Sequence, residues 1–480
     1  MPRKTTYSTV SVDKISASDF LQHLVDGCVL ALDVAKTKMV CALASVSGEV
    51  LKIFRWDHPT DSLRFLELAS ALQDGLTRAD PSASAPLPTP TQAQASLPPV
   101  RVVVEPTGTY GDSLRHQLER RGVPVHAISP KVVHDSRELF DGVPSLHDGK
   151  SAVLLAKLAA LGRDKPWTPR SPQRRQLRAL VDLRALHANA MAPNLGKLEA
   201  LLARHWPEFG QWLDVSQQRS ALELLATFPG PEAVTEAPQE AATLLRQGSR
   251  KRLSEELIEG LITQATQTLG APMMAEERAL MRAAAEKALD ERLRMKRVEK
   301  EIRRVASQEP GFKNLVDVLG PVTAATLIAY ANPLEHRNAK ALEKACGLNL
   351  REKSSGEKQG KRGITKRGPS ELRKLLYLAA LRKVYREPVV RAWYENRSCY
   401  PKGDTSSRGA IVAVMRKLVR VSWHVARGAS WDAEKFCDTR KLPVNERPKP
   451  ETNFEPRKAP RTTTTRRGRQ EKRGSAQATR

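Results

Sequence analysis

Short apolar runs organise the first third of the chain. Cys28-Val29-Leu30-Ala31-Leu32 is continuous and closes on Asp33, which predicts a strand. Val40 to Val46 and Glu49 to Phe54 follow, with Ser47-Gly48 between them as a hairpin turn. Leu63, Leu66, Leu68, Leu72 and Leu76 then recur near helical spacing from Thr60 to Leu76, with Thr60 or Asp61 placed as a cap. A further apolar run, Val100 to Val104, ends at Glu105-Pro106-Thr107-Gly108. It leads into a helix from about Tyr110 to Arg121 and, after Gly122, a strand from Val123 to Ile128. A strand–helix–strand unit of this kind implies a parallel crossover. Lys150 to Leu161 is a small apolar helix.

From about Ser171 to Ser307 the pattern is helical almost throughout, broken at Phe228-Pro229-Gly230-Pro231 and at Gly270-Ala271-Pro272. Ala275 to Val305 is one long charged helix, spaced for a helical hairpin, a coiled coil or a plain helical spacer. Leu319-Gly320-Pro321-Val322-Thr323-Ala324-Ala325 opens another compact region. The stretch from Asp80 to Pro99 is rich in Pro, Ser, Ala, Thr and Gln, the composition of a flexible insert. The tail after Leu442 has hardly any large apolar residue and is expected to be disordered. The expected domains are 25–165 with an insert at 79–99, 170–307, 312–440, and a basic tail at 441–480. The fold class is α/β plus all-α.

Charge narrows the partners. Lys and Arg number 79 against 53 Asp and Glu, a net charge of +26. Such a chain repels itself unless a polyanion neutralises it, which points to nucleic acid. Residues 1–150 hold 16 Lys/Arg and 17 Asp/Glu, whereas 351–420 hold 19 and 6, and 441–480 hold 12 and 4. Polyanion binding is therefore expected from the C-terminal third. Aromatics are only 5%, against carbohydrate sites and stacking-rich single-strand binders. There is no run of 18 apolar residues and no apolar stretch after the N-terminus, so neither a membrane span nor a secretory signal is expected. Five scattered cysteines, none in a CxxC pair, suit a reducing cytoplasm better than a zinc site or disulfide framework.

Two clusters carry candidate chemistry. Asp33 and Glu105 each close an apolar strand, where α/β sheets place their sites, and Asp148 precedes a helix that could bring a third carboxylate to the same edge. Convergent acids repel without a cation, so a divalent metal is the natural third party; taken singly, each acid could equally be a turn or cap residue. The order strand-Asp, hairpin, helix, strand-Glu, helix, strand, helix-Asp is that of a ribonuclease-H-like sheet. The second cluster holds Ser354, Ser355 and Gly356 among Lys353, Lys358, Lys361, Arg362, Lys366 and Arg367. A helix with Arg373, Lys374 and Arg382 on its polar side follows it. Glycine lets backbone approach a phosphate and the cations neutralise it, whether or not a serine reacts.

Together the clusters resemble the transposases of the insertion-sequence-110 family, the DEDD or Piv-type DNA recombinases. The N-terminal likeness rests on Leu32-Asp33-Val34-Ala35-Lys36, Val104-Glu105-Pro106-Thr107-Gly108, Ser129-Pro130-Lys131 and His147-Asp148-Gly149-Lys150-Ser151. The C-terminal one rests on Leu319-Gly320-Pro321-Val322-Thr323-Ala324, Ala345-Cys346-Gly347-Leu348, Ser354-Ser355-Gly356 and Ile364-Thr365-Lys366-Arg367-Gly368. The resemblance implies a RuvC-like nuclease domain binding Mg²⁺ or Mn²⁺ at Asp33, Glu105 and Asp148, and a helical domain with Ser355 as nucleophile. The family's fourth acid falls at Ser151, which supplies no charge, and neither Asp141 nor Asp135 has the spacing to replace it. The Gly320 turn resembles a helix-hairpin-helix phosphate contact. DNA ends and target DNA are the implied partners, with a structured guide RNA used by some members. Recombination of two DNAs implies a homodimer or tetramer in a nucleoid-associated, cytoplasmic setting. Two rivals follow from the residues: a metal-dependent junction endonuclease needing only the acids, and a decayed protein that only binds nucleic acid.

Overall fold

The computed structural model describes residues 7–24, 26–79, 99–106, 108–144, 147–249, 252–352, 363–398, 407–438 and 440. The expectations for the insert, the basic tail, and residues 353–362 with Ser354 and Ser355 lie outside the described residues. The chain forms two compact units, Met1–Pro169 and Arg170–Arg480. Among the described residues no helix is long and apolar enough to cross a membrane.

Unit 1 contains β1 (Val10–Ser11), α1 (Ser18–Leu21), β2 (Cys28–Asp33), β3 (Lys38–Ser45), β4 (Val50–Asp57), α2 (Ser62–Ala79), β5 (Val100–Val104), α3 (Asp112–Arg120), β6 (Val125–Ala127), α4 (Pro130–Asp135), α5 (Asp148–Ala160) and β7 (Lys165–Pro166). They build a seven-stranded mixed sheet in the order β1-β4-β3-β2-β5-β6-β7. The strands β2, β3 and β4 form an antiparallel meander, and β5 and β6 run parallel to β2, as the crossover pattern requires. The sheet is covered on both faces, which is why β2 and β5 are continuous apolar runs. Alternation sorts their side chains. Leu30, Leu32, Val102 and Val104 enter the core that includes α2 and α3, while Val29, Ala31 and Val103 enter the core beneath α5.

Unit 2 is helical: α6 (Pro172–His205), α7 (Phe209–Trp212), α8 (Arg219–Thr227), α9 (Pro231–Glu236), α10 (Pro238–Gly248), α11 (Glu255–Thr266), α12 (Ala275–Ala306), α13 (Phe312–Leu319), α14 (Pro321–Ala331), α15 (Ala339–Ala345), then the two-residue strands β8 (Leu350–Arg351) and β9 (Gly363–Ile364), then α16 (Ser370–Arg386), α17 (Pro388–Ser398) and α18 (Ser407–Val425). The long helices α6 and α12 lie antiparallel. Ion pairs link Arg184 to Glu299 at 2.8 Å, His187 to Glu291 at 2.6 Å and Arg204 to Glu277 at 3.0 Å, so positions ascend on one helix as they descend on the other. One end of the pair packs with α7–α11 around Trp206 and Phe209. The other end contributes Leu177, Val181, Val298 and Ile302 to the core of α13–α18.

Within that core Glu343 of α15 is buried and accepts from Arg416 Nε at 2.7 Å and Arg420 Nε at 2.5 Å, tying α15 to α18. Beyond α15 the chain passes under itself. A Cβ on Gly347, whose φ is +70°, would lie 2.8 Å from the backbone nitrogen of Arg367, and one on Gly368 would lie 2.6 Å from the Ala345 carbonyl oxygen. Only glycines allow two backbones to cross this closely. The crossing and the β8–β9 pairing, Arg351 opposite Gly363, fix both flanks of the segment that carries the two serines.

Candidate active site

The register of β2 on β5 explains how two distant acids meet. Leu32 lies opposite Val104, so Asp33 and Glu105 are the next residues of adjacent parallel strands. Two-residue alternation turns both toward the α5 face, where α5 packs across the sheet. Asp148 is the first residue of α5, and Ser151 lies one turn further on the same side. His147 caps this helix, its Nδ1 accepting from the Lys150 backbone N–H at 3.3 Å.

The electrostatics confirm that these groups are neighbours. Burial raises the Asp33 carboxyl to about 6, and the Asp148 charge pushes it the same way; a hydrogen bond from Ser151 and one from the Val34 backbone partly oppose this. Glu105 is also raised, by burial and then by Asp33, while the Arg137 guanidinium draws it down. Three carboxylates thus sit at one sheet edge with more negative charge than the nearby protein offsets. Ser151 meets this charge as a hydrogen-bond donor to Asp33.

The two other acids near this helix are engaged elsewhere. Asp141 takes a hydrogen bond from the buried Lys150 Nζ at 2.8 Å and from the Tyr7 hydroxyl at 3.0 Å, and its carboxyl is held down at about 2, first by the Lys150 bond. Asp135 pairs with Lys131 and His134. Among the described residues no three His, Cys, Asp or Glu side chains are gathered closely enough to hold a metal ion. The all-oxygen donor set and the uncompensated charge of Asp33 nevertheless fit a hard divalent cation. Asp148 is exposed at the helix start.

The second cluster is described only at its flanks. Ser355, Lys353, Lys358, Lys361 and Arg362 lie outside the described residues. Lys366 adopts φ +56° at the turn after β9, and its backbone N–H donates to the Gly347 carbonyl at 3.0 Å. Arg367 belongs to the crossing segment after β9, Arg373 bonds the Gly368 carbonyl, and Lys374 lies 3.8 Å from Glu371. Gly320, with φ +79°, joins α13 to α14, and Arg382 donates to the adjoining Leu319 carbonyl at 3.0 Å. Arg382 therefore serves that turn.

Comparison with known families settles the kinship. A model described as the transposase IS116/IS110/IS902 family matches residues 316–395, and a DEDD transposase model of the IS110 type matches residues 87–207. The chain belongs to the IS110 family of transposases. The two matches include Glu105, Asp148, Ser151 and Ser355 and begin beyond Asp33. This IS110-family chain is 26% identical over 150 residues to the pilin gene-inverting protein of Moraxella bovis and 25% identical over 150 residues to that of Moraxella lacunata. Each alignment covers 27% of the chain and 46% of the relative, so the chain spans about half the length of the curated relatives it matches. A DEDD domain goes with dependence on a divalent metal. Sequence reasoning missed Arg137 and Lys150: both are cations in a polar stretch, and their roles depend on how the segment between α4 and α5 folds back.

Proposed function

We propose that the chain is a DNA transposase or recombinase of an insertion sequence, cutting and rejoining DNA by attack of Ser355 on a phosphodiester. The observation that carries this reading is the coupling of Asp33, Glu105 and Asp148 at one sheet edge in a chain of this family. A divalent cation held there, Mg²⁺ or Mn²⁺, would supply charge neutralisation at the scissile phosphate. Ser355 Oγ forms a new bond to phosphorus as the bond to the leaving sugar oxygen breaks; the serine gives up its proton and the sugar hydroxyl gains one. The phosphoserine ester conserves bond energy, so a hydroxyl of a second strand can displace the serine without ATP. Lys353, Lys358, Lys361, Arg362, Lys366 and Arg367 offset the charge of the pentavalent state. Arg373, Lys374 and the helix-hairpin-helix-like turn at Gly320 hold flanking phosphates.

The domains on this reading are a RuvC-like nuclease at 25–165, a coiled-coil spacer at 170–307, a serine transposase domain at 312–440 and a basic tail at 441–480. Element ends and target DNA are the substrates, with an element-encoded guide RNA where sequence choice is delegated. A homo-oligomer, dimer or tetramer, joins through the middle helices. Leu183 and Leu186, 39% and 62% exposed along one side of α6, support that contact. The protein works in the cytoplasm at the nucleoid.

A junction endonuclease is the second reading, since it needs the acids but not Ser355. One assay separates the two. The protein is incubated with element-end DNA, guide RNA and Mg²⁺, denatured, and examined for a protein–DNA adduct. An adduct lost in Ser355→Ala and kept in Ser354→Ala supports the recombinase. Cleavage without an adduct, persisting in the double alanine, supports the nuclease and refutes serine attack. Binding alone marks a decayed transposase.

A further inference from the structure

The segment between α4 and α5 is fastened with care for a polar turn. Lys150, only 5% exposed, donates from Nζ to the Asp141 carboxylate at 2.8 Å and to the Val143 carbonyl at 2.5 Å. Tyr7 and the Val143 backbone N–H also donate to Asp141, each at 3.0 Å. A buried ammonium used in this way fixes the base of the loop at residues 141–143. Lys150 itself stands between Asp148 and Ser151 on α5, so the loop is anchored at the acid site.

The fixed loop presents two unlike features. Arg137 lies near Glu105, the guanidinium acting on that carboxyl, and its Nε is buried without a hydrogen-bond partner among the described residues. Next along the chain, Leu139 and Phe140 are 62% and 40% exposed. The Phe140 ring carries Lys157 Nζ 4.9 Å from its centre, so cations flank the apolar tip. Exposed large apolar side chains cost solvation and are informative when clustered. A tip of two such side chains, bordered by cations beside carboxylates, matches a nucleic-acid strand: phosphate for the guanidinium, base faces for the apolar pair. A second protein copy would be expected to bury a broader apolar surface with fewer charges.

We infer that residues 136–143 form a strand clamp at the acid site, in which Arg137 binds the scissile phosphate and Leu139 and Phe140 pack against the flanking bases. The inference rests on the transposase reading and adds to it a phosphate ligand and a base-contacting wedge. Arg137 touches the reacting phosphate, whereas Lys150 and Asp141 are positioning residues that hold the loop.

The test uses the full chain with Mg²⁺, and element-end DNA carrying 2-aminopurine stepped base by base through the cut site. The parent should show a fluorescence rise at one or two positions beside the cut, as the wedge unstacks a base. Leu139→Ser with Phe140→Ser should abolish the rise and weaken binding about 10-fold, with only a small drop in melting temperature from the lost Phe140–Lys157 contact. Arg137→Ala should cut about 100-fold more slowly while keeping the fluorescence rise, and Arg137→Lys should recover part of the rate. Parental fluorescence in the Leu139/Phe140 variant, or near-parental cutting by Arg137→Ala, overturns the clamp while leaving the transposase reading intact. A change in sedimentation with unaltered fluorescence would make the tip a contact between copies and also overturn it. If the parent neither binds nor cuts DNA, the transposase reading fails and the clamp falls with it.

Discussion

Replacing Asp33 by asparagine should stabilise the metal-free protein while destroying its chemistry. Asp33 is raised from 3.8 to about 6, first by burial and then by Asp148. A rise of that size corresponds to about 3 kcal/mol against the ionised form at neutral pH. Asp33 is only part-buried, and solvent screening reduces this to about 1–2 kcal/mol. For a unit of this size that is about 3–6 °C in melting temperature. The sign follows from linkage. The folded-state value lies above the unfolded one, so the stability from protonated Asp33 is full below pH 3.8 and lost as pH rises through about 6. The asparagine side chain keeps an oxygen to accept from Ser151 and Val34 but never ionises. Thermal unfolding in chelator should therefore show parent and variant alike near pH 3, with the variant ahead at pH 7.5. Saturating Mg²⁺ should reverse the order by raising the parent alone, about 2.7 kcal/mol at a hundred times its Kd. A variant that melts with or below the parent at pH 7.5 without metal would refute the claim that these acids lack a counter-charge.

Two more changes probe the site and the serine flank. Ser151→Asp removes the donor to Asp33 and adds a fourth carboxylate, so it should lower the metal-free melting temperature and shift activity to lower Mg²⁺; a Mg²⁺ titration identical to the parent's would show that the position does not face the ion. Gly347→Ala places a Cβ 2.8 Å from the Arg367 nitrogen at φ +70° and should cost about 1–3 kcal/mol in unit 2. Covalent adduct formation should fall with it, whereas DNA binding within a few-fold of the parent's but full adduct yield would show that the crossing does not support the serine segment.

Much of unit 1 was legible in the chain because strong local signals agreed with tertiary demand. The run 28–32 closes on Asp33 as expected, and the expected crossover helix and strand both form. The edge strands β1 and β7 escaped notice: each has two residues, and pairing rather than composition makes them strands. The breaks at Phe228–Pro231 and Gly270–Pro272 are present, but Pro207 and the polar stretch 214–218 divide the middle region further. Asp33, Glu105 and Asp148 stand out in the sequence as candidates because each lies at the end or start of an element. Arg137 and Lys150 could not. Their significance depends on a turn whose path is set by Tyr7, 134 residues from Asp141 in the chain, and no spacing rule spans that distance.

The antiparallel pair of α6 and α12 has a consequence for how this architecture can change. Their 34 and 32 residues, at 1.5 Å per residue, make an arm about 50 Å long that leaves and re-enters the α13–α18 core at one place. The helices α7–α11 at its far end are thus an insertion in the topological sense, with their own core around Trp206 and no share in Leu177, Val181 or Ile302 at the root. Descendants of such a chain can exchange or resize that terminal module, altering what the arm reaches, while the roots keep the C-terminal core sealed.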